Sequence, residues 1–121
     1  MILHIARKNC TDEISDLPFL EFYGCEVCVR SLYAELESSV TDKYITLTTN
    51  MVPRTIINQK QECLSFYNSN FFETKIYYKP TRPIWYPVEL GRLEACTIKL
   101  LIEDTEINLI KNFHLQLEFR E

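Results

Sequence analysis

The sequence predicts an all-β protein built as an antiparallel β-sandwich. Three observations carry that expectation. The C-terminal stretch "NFHLQLEFRE" alternates: Phe113, Leu115, Leu117 and Phe119 interleave with His114, Gln116, Glu118 and Arg120. A period of two residues marks a strand with one buried face. "CTIKLLIED" repeats the pattern, with Ile98, Leu100 and Ile102 on one face. "DKYITLTTNMV" is rich in β-branched residues and predicts a strand over Lys43–Thr49.

The remaining elements follow in chain order. "ILHIAR" opens the chain as a strand, and "PFLEFYG" is expected to be extended. "CEVCVRSLYAELE" reads two ways. Cys25, Val27, Val29 and Tyr33 have strand spacing, whereas Cys25, Cys28, Val29, Leu32, Tyr33 and Leu36 have helical spacing. "AELE" is a good helix former, so a short helix near 28–38 stands as the alternative to a strand. "RTIINQ" and "ECLSFY" are shorter strands, and "ETKIYYKP" is a strand stopped by Pro80. "TEIN", flanked by Asp104 and Asn108, is turn-like. The strands on either side of it form a hairpin or face each other across the sandwich. With only two glycines in the chain, the turns must use Asn, Asp and Pro.

"KPTRPIWYPVELGRL", at 79–93, holds three of the five prolines and the only tryptophan. Pro80, Pro83 and Pro87 exclude a continuous helix and a central strand. The stretch is therefore an extended connection between a strand ending near Tyr78 and one beginning near Thr97.

Composition narrows the class. The length of 121 residues fits a single domain over 1–121. Hydrophobic residues at 46 % and charged residues at 25 % describe a globular chain rather than a disordered one. The formal net charge is −4, and Arg7-Lys8 is the longest basic run, which argues against direct nucleic-acid binding. No apolar run approaches the ~20 residues that span a bilayer, so no membrane partner is expected. "MILHIARKNC" lacks the charged start and apolar core of a signal peptide, so an intracellular location is expected. The five cysteines, an odd number, are expected as reduced thiols, mostly small buried hydrophobes.

The sequence carries no complete catalytic or metal-binding motif. "CEVC" is a C-x-x-C, but a structural zinc site wants a second pair of ligands. Cys10, Cys63, Cys96, His4 and His114 are isolated in sequence. If 25–28 is a strand, the Cys25 and Cys28 thiols point to opposite faces. His114 falls on the polar face of the last strand and reads as solvated. Glu35, Glu37, Glu103 and Asp104 read as surface charges. No nucleophile elbow, phosphate loop, dinucleotide fingerprint or zincin motif is present. The expectation is a non-enzymatic protein with no cofactor, no metal and no small-molecule substrate. Tyr77, Tyr78, Trp85 and Tyr86 crowd one region with few basic neighbours, which fits a core or a protein interface better than base stacking. Trp85, Tyr86, Arg82 and Tyr78 are the interface candidates. Trp85 and Tyr86 either pin the proline-rich crossing or face a neighbouring subunit. Pinning is favoured, because a fully exposed Trp is uncommon without a partner.

The last eighty or so residues carry a resemblance. "YITLTTNMVPRTIINQKQECLSFY" and "YYKPTRPIWYPVELGRLEACTIKLLIEDTEINLIKNFHLQLEFRE" are similar to jelly-roll capsid-type proteins, penton- or minor-capsid-like. Such proteins are encoded by Polinton/Maverick elements and adintovirus-like viruses, with domesticated relics in animal genomes. The matching positions are Asn50-Met51-Val52, 83–88, 98–104 and 117–120. "CEVCVRSLYAE" matches an earlier strand of the pattern, and this match favours strand over helix there. "DTEIN" stands where a glycine often sits in the family's penultimate turn. The resemblance implies a single jelly roll of about eight strands. It also implies a structural role, in which the chain forms homo-oligomers or binds other capsid proteins, with a place in a virion or virus-like particle. The alternative is an intracellular β-sandwich module for protein–protein interaction. A zinc protein built on Cys25 and Cys28 comes third.

Overall fold

Nested antiparallel pairing organises the chain. The structure, a computed structural model, describes residues 2–17, 26–54, 60–69, 72–88, 96–105, 107 and 109–121. The strands are β1 (Ile2–Cys10), β2 (Glu13–Leu17), β3 (Glu26–Leu36), β4 (Lys43–Thr49), β5 (Glu62–Asn68), β6 (Lys75–Tyr78), β7 (Tyr86–Pro87), β8 (Cys96–Ile102) and β9 (Ile110–Arg120). Four pairings nest inside one another: β1 with β9, β2 with β8, β3 with β6, and β4 with β5. This ribbon then closes on itself, because β9 also pairs β3 and β8 also pairs β4. The first sheet runs β1-β9-β3-β6 and the second β2-β8-β4-β5. That is the winding of a jelly roll, two antiparallel sheets over one core. The two-residue β7 adds to β3 alongside this frame.

No helix occurs among the described residues. The alternative of a short helix near 28–38 is therefore corrected: the segment is β3, an eleven-residue strand. Its ambiguity has a physical cause. Val29 faces Leu117 and Ser31 faces Gln116, so Arg30 is an extra residue, a β-bulge. The bulge slips the inward phase by one. Val27 and Val29 point into the core before it, and Leu32, Ala34 and Leu36 after it. A period of two with one slip imitates the i, i+3, i+4 spacing of a helix. β9 carries the matching slip, since Leu36 faces Ile110 and Glu35 faces Asn112, leaving Lys111 as the extra residue.

The last two long strands face each other across the sandwich, because β8 lies in the second sheet and β9 in the first. β8 ends in a tight turn in which Ile102 and Thr105 exchange backbone hydrogen bonds of 3.2 and 2.9 Å. Its central residues Glu103 and Asp104 have φ of 52° and 59°. Positive φ at both positions is type I′ geometry, usually filled by Asn-Gly. "PFLEFYG" and most of "RTIINQ" lie outside the described residues. β2 and β7 were not apparent in the sequence.

The inner faces close over a core that includes Ile5, Leu32, Ile45, Leu47, Ile76, Leu100, Phe113 and Leu115, all essentially solvent-free. One buried polar side chain braces the corner where the chain crosses from β3 to β4. Asn68 Nδ2 donates to the Val40 carbonyl at 2.8 Å, and the Asn68 carbonyl accepts from the Asp42 N–H at 2.8 Å.

The bulge predicts the effect of one deletion. Removing Arg30, the extra residue, leaves one unbroken alternation in which Val27, Val29, Leu32, Ala34 and Leu36 all still face inward. Each buried aliphatic side chain is worth about 1.5–3 kcal/mol, against a total stability of about 5–15 kcal/mol. Because none of these side chains is turned outward, chemical denaturation of the deletion variant is expected to keep its cooperative transition and to lose less than about 1.5 kcal/mol, the lower worth of one such side chain.

Candidate functional site

The proline-rich crossing is described over its first part, 79–88, and it contains three of the four interface candidates, the fourth, Tyr78, ending β6 just before it. They divide between two environments. Tyr86 pairs with Val27 and packs against the core. Tyr78, on β6, stacks on Phe66 of β5 with ring centroids 4.7 Å apart. β6 and β5 end their respective sheets, so this stack joins the two sheets along their open side. Tyr86 lies along the same seam, lining a small cavity of about 40 Å³ with Val29, Cys63, Leu64 and Tyr78. Desolvation raises the phenol pKa of both Tyr78 and Tyr86, as expected of rings used for packing.

Trp85 and Arg82 belong to the outside. The Val27–Tyr86 register places Trp85 next to Cys28, on the outer face of the first sheet. Trp85 is half-buried, and the Arg120 guanidinium lies 3.8 Å from the centre of its ring. Arg120 Nε also donates to Glu26 Oε1 at 3.2 Å. An indole, a guanidinium and a carboxylate thus form one stack across β9, β3 and the crossing. Arg30 Nε meets Glu118 Oε2 at 2.7 Å on the same face. Cys28 is buried although its neighbours Val27 and Val29 take the core side. Desolvation, then the Glu118 charge, raise its thiol pKa. Arg82 is exposed.

The cysteines and histidines distribute as follows. Cys25 lies outside the described residues. Cys28, Cys63 and Cys96 are buried thiols and Cys10 is half-exposed. Cys63 Sγ donates to the Leu47 carbonyl at 3.5 Å, and desolvation pushes its pKa up to about 12. The thiolate is both the nucleophile and the metal ligand, so Cys63 is poorly suited to either role near neutral pH. Among the described residues no group of three or more His, Cys, Asp and Glu side chains is placed to hold a metal ion. The β1–β9 register brings His4 and His114 together with ring centroids 6.0 Å apart, and Tyr33 lies 6.0 Å from His114 on the other side. Sequence reasoning placed each histidine separately. The pairing depends on which strands become neighbours, which no local pattern encodes.

A second aromatic cluster was missed entirely. Tyr44 and Tyr67 are direct cross-strand partners on β4 and β5, with ring centroids 5.2 Å apart and planes at 67°. Both rings stand on the outer face of the second sheet, 57 % and 48 % exposed. Asp42 and Glu103 flank them. Partial desolvation and a hydrogen bond to the Asp42 carboxylate raise the Tyr67 phenol pKa. Glu103 Oε1 accepts from the Tyr44 N–H at 2.9 Å, and the Glu103 N–H donates to the Tyr44 carbonyl at 2.9 Å. The only sequence signal was an aromatic at an outward position of each strand. Glu103 and Asp104 are exposed, in keeping with their reading as surface charges, but no local pattern tells that their turn aims Glu103 at Tyr44.

Two outcomes follow from these environments. Trp85→Ala removes a stacked indole and leaves Arg120 uncovered, so thermal and chemical unfolding of the isolated protein should show a loss of about 1–2 kcal/mol. Thiol labelling at pH 8, mapped by mass spectrometry, should modify Cys10 in the native protein and Cys63 only after denaturant is added. The unfolded Cys63 thiol ionises at 9.0 and the native one at about 12, so the native state holds the extra proton between those values. The Cys63 contribution to stability is therefore fully present below pH 9 and falls as pH rises through that window.

No protein-family model, no curated protein and no solved structure matches this chain.

Proposed function

We propose that the protein is a structural, non-enzymatic jelly roll of the capsid type, which self-associates or binds other capsid subunits. The observation that carries this reading is the winding itself. Eight strands nest and close in the order β1-β9-β3-β6 over β2-β8-β4-β5, with short connections among the described residues. Such a sandwich is a rigid block with faces, edges and rims available for symmetric contacts.

Two further features support it. Segments that carry the resemblance to Polinton and adintovirus capsid-type proteins meet in space. Arg120, in the 117–120 segment, covers Trp85, in the 83–88 segment. Phe119 and Tyr86 both pair with Val27, one from each side of β3. The first sheet also ends in β1, nine residues long, which pairs β9 continuously from Ile2 to Lys8 on one side only, before Asn9 with its φ of 50°. Its one buried side chain is Ile5, and Ile2 is 61 % exposed. The regular part of that edge, Ile2 to Lys8, is a template for a strand from another chain.

Size-exclusion chromatography with light scattering, run over a hundred-fold concentration range, tests the proposal. The expected result is a mass that rises to a discrete multiple of 14.4 kDa, with ring-like or shell-like particles by electron microscopy. A strict monomer across the whole range, unchanged by mixing with co-encoded capsid subunits, would remove the assembly role.

A further inference from the structure

The molecule contains the same aromatic–carboxylate arrangement twice. On the first sheet, Trp85 and Glu26 enclose a guanidinium supplied by the chain's own Arg120. On the second sheet, Tyr44 and Tyr67 stand with Asp42 and Glu103, and among the described residues no cation lies over either ring. We propose that this second corner is a docking site for an arginine or lysine side chain presented by a partner protein.

The argument starts with exposure. Both tyrosines are cross-strand neighbours on an outward face and contribute little to the core. Their rings are edge-to-face, so a flat cation can cover one ring while its edge approaches the other. The charge around the rings is complementary. Asp42 contacts the Tyr67 hydroxyl and Glu103 contacts the Tyr44 backbone, so both carboxylates are held beside the rings by bonds of their own. A concavity of about 310 Å³ opens beside Tyr44, lined by Glu62, Glu103 and Asp104 against the single cation Lys60. Lys60 is drawn to Asp104. The Lys43 side chain, one residue from Tyr44, lines a neighbouring concavity with Leu36 and Ser39, which Glu103 borders from its other side. The same excess of carboxylates repels phosphate groups, which commits the site to a protein partner rather than a nucleic acid. Recognition of a cation between tyrosine rings and carboxylates draws on ring electrostatics and ion pairing together.

This inference stands apart from the assembly proposal, and its test separates them. Ac-Gly-Arg-Gly-NH2 and Ac-Gly-Lys-Gly-NH2 are titrated into the protein at low salt, with Ac-Gly-Gln-Gly-NH2 as the neutral control. The Tyr44 and Tyr67 ring signals are followed by NMR at a fixed protein concentration. The expected result is saturable movement of both rings with the cationic peptides alone, weakening as salt is added. Asp42→Asn and Glu103→Gln retain the acceptor oxygens that hold the two contacts and remove only charge. Each is expected to weaken binding about five-fold, and Tyr67→Leu to weaken it at least as much. Equal movement with the glutamine peptide overturns the proposal, as does unchanged binding in both charge variants. Ring movement produced by raising protein concentration alone also overturns it, because the corner would then belong to a contact between copies of the chain. A strictly monomeric protein that still binds the arginine peptide leaves this site standing while the assembly role falls.

Discussion

The β3–β9 ladder is the contact on which the rest of the structure depends. β9 lies between β1 and β3, so it joins the start of the chain, its middle and its end into one sheet. Its inward side chains Ile110, Phe113, Leu115, Leu117 and Phe119 form a continuous apolar strip against the opposite sheet. The two bulges at Arg30 and Lys111 lie near opposite ends of the ladder, one on each strand. Between them the register runs unbroken from Ser31 to Glu35, and each bulge resets the phase so that apolar residues beyond it still point inward. The coupling is strict because the side-chain period is two. A one-residue error anywhere in the ladder would send a whole set of core residues to the surface.

Closing two sheets over that strip decides where side chains of other kinds can go. The open side between β5 and β6 is filled by rings, with Phe66 and Tyr78 stacked and Tyr86 beside them. The outer faces receive the polar alternates, and there aromatic rings meet charges. One such meeting, at Trp85, is satisfied within the chain by Arg120. At the other, Tyr44 and Tyr67, carboxylates flank the rings and, among the described residues, no cation lies over either ring. The proline-rich crossing thus serves both sides of the first sheet, sending Tyr86 inward and Trp85 outward from adjacent positions. That is the ordinary alternation of an extended chain, used to pin one connection on both faces.

Among the described residues four non-glycine positions have positive φ: Asn9 on β1, and three near the second aromatic corner. Asp42, Glu103 and Asp104 all have positive φ, and all three lie in the turns that bound β4 and β8. Asp tolerates this region better than most residues, and Glu less well. Asn68 holds the first of these turns through its bonds to Val40 and Asp42. A buried, hydrogen-bonded asparagine is a costly way to hold a corner unless its geometry matters, since an unpaired carbonyl there would cost about 1–3 kcal/mol.

Much of the fold was legible in the sequence because strands with one buried face must alternate. The period of two gave the inward set of β9 from Phe113 to Phe119 and Ile98 and Leu100 of β8, and β-branched residues gave β4 at Lys43–Thr49. The prolines showed that the stretch around Trp85 could be neither helix nor central strand. The sequence alone therefore determined the class of the protein, the faces of its longest strands and the extended nature of its crossing. It could not decide β3, because a bulge is a response to the partner strand and reads locally as helical spacing. It could not bring His4 to His114, Arg120 to Trp85, or Glu103 to Tyr44, because each meeting joins residues far apart in the chain. Those contacts were decided by the tertiary structure, where burying both inner faces at once selects which strands are neighbours and in which register.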